Sequence, residues 1–233
     1  MDMRKFIFFL AACAFAQPPA FEAATIKPSK SQPGRSATHT RTGMIVLTGK
    51  TLKGLICSAY DVKDFQVSGG PKWMDDDRYD VNAKAEGAAN GRQLEVMLQT
   101  LLADRFQLAI HREQKVGPAY ALVLAKSGLK IKPLEGNPGT NSKGGKGQLT
   151  VTGMPMPEFA DLLARELKTP VVDFTSTPGA FDFKLEWSIE GDKDDAQSAL
   201  FAALQSQLGL KLESRKLPVD LIVVDRAEKP SEN

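Results

Sequence analysis

The residues that could act in catalysis or bind a metal are few in this chain and stand far apart. His39 and His111 are the only histidines, and Cys57 lies on a helical pattern of apolar residues with no histidine near it in the sequence. A cysteine nucleophile needs a nearby base, and a zinc site needs several histidine or cysteine ligands. The sequence therefore identifies no catalytic residue, no metal site and no cofactor site, although a Ser-His-Asp arrangement built from distant residues leaves no local signature.

The densest acidic run is Asp75, Asp76 and Asp77, which follows Trp73. Carboxylate oxygens suit calcium, but the run lacks the spacing, the glycine and the terminal glutamate of a calcium loop. We interpret it as a solvated turn in which aspartate side chains accept hydrogen bonds from backbone N–H groups. Trp73 either packs into the core or, if exposed, forms with the three aspartates a candidate interaction surface.

The overall composition argues against one class of partner. Among 233 residues, 30 basic and 28 acidic side chains give a net charge of +2, and the basic residues are scattered rather than clustered. Such a surface has no strong field for steering nucleic acid. The length allows one large domain or two of about a hundred residues. We therefore expect a globular protein that does not bind nucleic acid.

The N-terminal residues predict export. Met1–Lys5 is a short positive head, Phe6–Ala16 is an apolar run too short to span a bilayer, and Ala14–Ala16 fits a small-x-small cleavage site. Residues 1–16 are thus predicted to be a signal peptide, which would place the mature chain in the periplasm or outside the cell. A second interpretation competes, since Leu10–Cys13 matches a bacterial lipobox in which Cys13 becomes a lipid anchor.

Apolar periodicity predicts an α+β fold in which one order of elements occurs twice. In the first half the order is strand, helix, strand, strand, helix, strand, strand, with Thr51 as the N-cap of the first helix. The second half repeats this order from Leu149 to Val224. An additional strand at Phe21–Ile26 is expected to pair into the first copy. Trp187 alternates in phase with apolar positions and is expected to be core.

Three pairs of matched positions support an internal duplication, with spacings that drift only from 104 to 100 residues: Gly49 and Gly153, Asp80 and Asp182, Pro118 and Pro218. The drift falls in turns, where changes of length are tolerated. We therefore predict two tandem, similar βαββαββ modules, with mixed or antiparallel sheets and helices packed on one face.

Residues 128–147 contain several glycines and show no apolar periodicity past Leu134. Such a stretch cannot bury enough apolar surface to order itself and is typical of a linker or loop. The predicted organisation is a signal peptide (1–16), a first module (17–127), a glycine-rich linker or loop (128–147) and a second module (148–233).

Long blocks of the sequence resemble a known family: AFEAATIKPSK, LKGLICSAYDVKDFQVSGGPKWMDDDRYDVNAKAEG, MLQTLLADRFQLAIHRE, PAYALVLAKSGLKIKP and PVVDFTSTPGAFDFKLEW. Together they are similar to a family of uncharacterised exported proteins of soil bacteria, a domain of unknown function. Relatives of that kind can be fused to a sensor-type membrane metallopeptidase, which implies a sensing or binding role in the envelope. The His-Glu-x-x-His motif of such a peptidase is absent from this sequence.

Each half is also similar in pattern to the short N-terminal domain of secretins and TonB-dependent receptors, on the stretches ADLLARELKTPVVD and LFAALQSQLGLKLE. In those proteins the domain mediates protein–protein interaction or signalling, so the resemblance implies a non-catalytic role.

The leading hypothesis is a non-catalytic envelope module that binds a protein partner by strand addition. We expect the last strands of each half to lie at sheet edges, because an exposed edge accepts a strand from another chain. Two alternatives remain open: a secreted hydrolase whose site is assembled from scattered polar residues, and a small-ligand binder in the groove between the modules.

The leader predicts a defined mature N-terminus. Expression in a bacterial host followed by intact-mass spectrometry should give a chain that begins at Gln17. A chain that begins at Cys13 and carries the added mass of acyl groups would establish lipidation instead. A chain that still begins at Met1 would contradict both interpretations.

Overall fold

The computed structural model describes residues 18–32, 35–136, 139–145 and 147–230. The predicted signal peptide and Cys13 lie outside these residues. The described chain divides into two compact units: the first contains residues 18–61, 70–109 and 226–230, and the second contains residues 62–69 and 110–225. The fold is α+β, as predicted, with five helices and three mostly antiparallel sheets among the described residues. None of these helices has the length and apolar character needed to cross a membrane.

The first unit is built on a four-stranded antiparallel sheet. Its strands are β1 (Ala23–Pro28), β2 (Ala37–Arg41), β3 (Met44–Thr51) and β5 (Arg78–Lys84), and its helices are α1 (Leu52–Tyr60), α2 (Trp73–Asp76) and α3 (Gly91–Phe106). The strand order is β1-β5-β3-β2. Ala23 of β1 lies opposite Lys84 and Pro28 lies opposite Tyr79, so the N-terminal strand pairs with a strand of the first half, as expected.

The helices of the first unit begin at the residues that the sequence pattern indicates. Thr51 caps α1, because its hydroxyl accepts a hydrogen bond from the backbone N–H of Gly54 at 3.1 Å. Asn90 caps α3 in a reciprocal box with Gln93. Both helices bury one apolar face at helical spacing: Leu52, Leu55, Ile56 and Ala59 in α1, and Leu94, Leu98, Leu101, Leu102 and Phe106 in α3.

The second unit contains two sheets and two helices. Its strands are β4 (Val67–Gly69), β6 (Ala109–Leu124), β7 (Asn141–Gly145), β8 (Gln148–Pro155), β9 (Val171–Asp173), β10 (Ala180–Glu186) and β11 (Leu210–Arg226). Its helices are α4 (Met156–Leu167) and α5 (Lys193–Ala203). A π-helical turn, Leu204–Leu208, continues α5. The sheet orders are β10-β8-β7 and β4-β11-β6-β9. One hydrophobic cluster joins α4 and α5 to the inner faces of β8 and β10, with Phe159, Leu163 and Phe181 at its centre.

The last strands of the two halves are not sheet edges, and this expectation was wrong. β6 and β11 are the interior strands of their sheet, and the short strands β9 and β4 pair with them in parallel on the outside. The sequence pattern predicts two successive strands at the end of each half, but the structure has one long strand that runs through Pro118 or Pro218. Along β6, pairing with β9 begins only at Tyr120, and along β11, pairing with β4 begins only at Ile222. Pro118 and Pro218 therefore lie before these outer pairings. A proline has no N–H to donate to a neighbouring strand, and none is required of it there.

The glycine-rich segment 128–147 contains regular structure that its composition does not predict. Residues 141–145 form β7, which pairs with β8 from Thr152 to Gln148. Earlier in the segment, the N–H of Lys130 donates to the carbonyl of Leu208 at 2.9 Å and the N–H of Leu134 donates to that of Ala180 at 2.7 Å. Backbone pairing, together with the packing of Leu129 and Ile131 against the core of the second unit, orders the described part of this stretch.

The matched aspartates of the sequence occupy equivalent places in the two units. In β3 two residues oppose the single Asp80 of β5, and in β8 two residues oppose the single Asp182 of β10. Such a bulge takes one N–H out of the ladder. The N–H of Gly49 donates to Oδ1 of Asp80 at 2.8 Å, and the N–H of Gly153 donates to Oδ1 of Asp182 at 2.7 Å. Both glycines have positive φ, +64° and +61°, which favours glycine at this position.

Removal of either carboxylate should destabilise the fold. Asp80→Ala and Asp182→Ala should each lower the free energy of unfolding by about 1–3 kcal/mol, because each leaves a part-buried backbone N–H without its acceptor. Asp80→Asn and Asp182→Asn keep an acceptor oxygen and should lose less. Urea denaturation of the four variants checks this, and equal losses for the alanine and asparagine variants would contradict the role assigned to the hydrogen bond.

Candidate functional site

The predicted surface around Trp73 is half-buried and packed within the first unit. Trp73 begins the one-turn helix α2 and stacks on Phe106, with ring centroids 6.4 Å apart and an angle of 19° between the rings. The ammonium group of Lys229 lies 5.7 Å from the centroid of the Trp73 ring, within the range of a cation–π interaction. The indole is therefore neither fully core nor a freely exposed contact.

The three aspartates after Trp73 do not converge on one point. Asp77 pairs with Lys229 at 2.6 Å, whereas Asp75 pairs with Lys53 at 3.6 Å. Asp76 is exposed. Among the described residues, no group of three acidic, histidine or cysteine side chains could hold a metal ion. The proposed interaction surface of Trp73, Asp75, Asp76 and Asp77 stays a prediction.

Tyr79 is the titratable group that these contacts affect. Its ring is buried edge-on against Phe106, with centroids 5.1 Å apart. Burial raises the pKa of Tyr79 above its usual value near 10, and the nearby Asp77 carboxylate raises the pKa further. The neutral phenol is thus favoured in the folded state, and its contribution to stability is lost as the pH rises above about 10.

The two histidines belong to different units. His39 is exposed on β2 opposite Val46. His111 lies on β6, and its Nδ1 is 2.9 Å from Oδ1 of Asp225 on β11. Both partners are about half exposed, and an exposed ion pair contributes little to stability. Sequence reasoning missed this pair because its members are 114 residues apart.

The second unit contains a groove that is open to a ligand. It lies between the inner face of β7 and β8 and the C-terminal half of α4, and its volume is about 550 Å³. This is within the usual range for ligand-binding clefts, about 300–1,000 Å³. Its lining is mostly apolar and includes one basic and one acidic residue. The apolar side chains are Leu149, Leu162, Leu163, Leu185, Trp187 and Leu200, the charged ones are Arg165 and Glu166, and Ser142, Gly144, Gly145 and Gln148 complete the lining.

The groove exists because the inward positions of β7 carry almost no side chain. Ser142 and Gly144 pair with the buried Val151 and Leu149, and cross-strand partners share one face of a sheet. They therefore face α4 and leave Leu162, which is half-buried, partly uncovered. A Cβ atom built on Gly144 would meet its nearest neighbour, Cδ1 of Leu149, at 3.6 Å. That is ordinary contact, so the missing side chain is not required by crowding.

The two edges of the sheet that lines the groove differ. The β10 edge is closed at both ends: Ala180 accepts from the N–H of Leu134, and the amide of Gln207 bonds both the N–H and the carbonyl of Glu186, at 3.1 and 2.6 Å. β7 forms the other edge and, within the described residues, is bonded to β8 alone. All five of its residues are exposed. The open edge of the sheet is therefore the one beside the groove.

Trp187 has a role that its sequence pattern did not show. It packs against the core cluster of the second unit, in agreement with its alternating position, but it remains half-buried and lines the groove. The alternation of Phe181, Phe183 and Leu185 predicts its side of the sheet. Only the position of β7 reveals that this side is partly open.

Comparison with known proteins gives one match. The sequence model of a family described as "Protein of unknown function (DUF3738)" matches residues 53–227. No curated protein and no solved structure matches the chain. The matched stretch includes α4, β7, β8 and β10, and so covers all the residues that line the groove.

The contribution of Asp77 to the ionisation of Tyr79 can be measured. Asp77→Asn should lower the pKa of Tyr79, because it removes the negative charge that disfavours the phenolate. The pKa should stay above its usual value, because burial is the larger cause. Ultraviolet titration of the tyrosinate band, with Tyr79→Phe as the reference for the other tyrosines, checks this. An unchanged or higher pKa in Asp77→Asn would contradict it.

Proposed function

Because the chain belongs to the DUF3738 family of proteins of unknown function, we propose its function from the groove: it is a non-catalytic binding module that holds an extended segment of a partner protein along β7. Strand addition of this kind uses backbone hydrogen bonds for affinity and pockets for alternate side chains for specificity. An edge strand beside an apolar cleft supplies both. The single observation that carries the proposal is the absence of a side chain at Gly144, on the inner face of that edge.

The backbone of β7 supplies the first half of such a site. An edge strand presents N–H and C=O groups on its outer side that can pair with another chain. Strands of five residues are ordinary in length, so β7 can pair with a short extended segment. The sequence pattern predicts that the last strands of the two halves accept a partner strand. These strands, β6 and β11, lie inside their sheet, and the proposal therefore assigns strand addition to β7.

The groove supplies the second half. A strand added to β7 places every second side chain on the inner face of the sheet. Such a side chain would enter the groove next to Gly144 and contact Leu162 and Trp187, which line it. Full burial of one large apolar side chain contributes about 1.5–3 kcal/mol. In the first unit, the position of β2 opposite the buried Ile45 carries Thr40, which is larger than glycine.

We also propose that the two units arose by duplication. The proposal is supported by the bulge and its aspartate in each unit, and by matched ends of two strands. Pro28 lies opposite Tyr79 and Pro133 bridges to Phe181, a spacing of 105 residues in one strand and 102 in the other. On this basis the groove is a feature of the second copy, derived from a scaffold that both copies share.

The predicted leader supports a proposal for the location of the module. We propose that it acts in the bacterial envelope or outside the cell, after removal of residues 1–16 or attachment through Cys13. A secreted hydrolase and a small-ligand binder between the modules stay as alternatives.

A substitution that fills the groove tests the proposal. Gly144→Leu should abolish binding of an extended peptide, raising Kd at least about tenfold, or about 1.4 kcal/mol. It should not unfold the chain, because a Cβ fits there and a leucine would cover apolar surface. The probe is a displayed library of short random peptides selected on the wild-type chain, with affinities measured by calorimetry.

Thr150→Leu is the matched control. Thr150 lies opposite Lys143 of β7, is exposed on the outer face of the same sheet, and is not among the residues that line the groove. This variant should retain binding. The proposal fails if no peptide is enriched on the wild-type chain, or if the enriched peptides bind both variants alike.

A further inference from the structure

The outer face of the sheet that contains β7 carries a row of positive charge. Lys143 pairs with Thr150, and Thr150 pairs in turn with Lys184, so these three side chains stand side by side on one face. Lys184 is neutralised by Glu186, at 2.8 Å. Lys143 makes no ion pair with any residue that the structure describes. The edge strand thus ends the row with an ammonium group that no described residue neutralises.

The charges that line the groove do not set a preference of their own. Arg165 and Glu166 are adjacent on α4, are both exposed, and have opposite sign. Their fields largely cancel for a ligand that lies across both. Lys143 is therefore the charge that a strand added to β7 would meet.

A second copy of this chain is a poor occupant of the edge. Two β7 strands paired in antiparallel register would bring their Lys143 side chains onto the same face near one another. Like charges that face each other across strands are destabilising, and a lysine on an edge strand is a known device against self-association.

We propose that the partner is a different polypeptide, whose added strand carries an acidic residue facing Lys143 and an apolar residue next to it in sequence that enters the groove at Gly144. The two requirements fall on opposite faces, so they occupy adjacent positions of one strand. An acidic residue there would complete the row on the outer face and pair with Lys143. The inference rests on the proposed strand addition, and adds to it the chemistry of the partner.

The experiment repeats the selection of short displayed peptides on three chains: wild type, Lys143→Glu and Gly144→Leu. Peptides from the wild-type chain should share an acidic residue beside an apolar one. Their Kd should rise about tenfold or more on Lys143→Glu. Replacement of the acidic residue by lysine in the peptide should restore binding to Lys143→Glu, and selection on that variant should enrich basic residues at the same position.

Lys126→Glu is the control for net charge. Lys126 lies in the turn after β6, outside the three-stranded sheet, and its reversal should leave peptide affinity unchanged. Peptides that lose affinity on Gly144→Leu but not on Lys143→Glu would overturn this inference and leave the proposed function standing. Enrichment of no peptide on the wild-type chain would overturn both, and an equal loss on Lys126→Glu would show a nonspecific charge effect and overturn the assigned pairing.

Discussion

The hydrogen bond from a bulge glycine to an aspartate carboxylate is the constraint on which two of the three sheets depend. In the second unit it joins Gly153 to Asp182, at the point where two residues of β8 oppose one of β10. Because side chains alternate along a strand, a slip of one residue would exchange the buried and exposed faces. The start of β7 is tied to the same bulge, since the hydroxyl of Thr140 donates to the carbonyl of Gly153 at 3.0 Å. The bulge therefore fixes which residues of β7 face the groove.

Much of the fold could be predicted from local signals, and the rest depends on pairing between distant segments. Thr51 predicts the start of α1 because it is a suitable N-cap residue, and the helical spacing of Leu94 and Leu98 predicts α3. The interior position of β6 and β11 has no local signal, because their outer partners are strands of only three residues that come from elsewhere in the chain. Pro118 and Pro218 indicated breaks because a proline removes a donor, but only the complete sheet shows that no donor is needed there.

The candidate site was harder to predict than the fold, since it is defined by the lack of a side chain at Gly144. The run of aspartates after Trp73 indicates a possible site by its charge, yet two of the three are paired with lysines within their own unit. Gly144 indicates no site, because a glycine in a glycine-rich stretch is typical of a loop. It becomes informative only when β7 is known to be a strand, with Gly144 opposite the buried Leu149. A sequence gives the alternation of a strand but not what is packed against it.

The unequal treatment of the two sheet edges argues that the open one is used. Gln207 pairs with both backbone groups of Glu186, as a neighbouring strand would, and so closes the β10 edge against other chains. Protection from aggregation is already supplied on β7 by its short length and by Lys143. It does not account for the glycine on the other face of β7. Glycine weakens a strand, so its presence beside an apolar groove costs stability that a purely structural edge would have no reason to lose. An edge that discourages copies of itself and still offers an apolar cleft is suited to a strand of different charge.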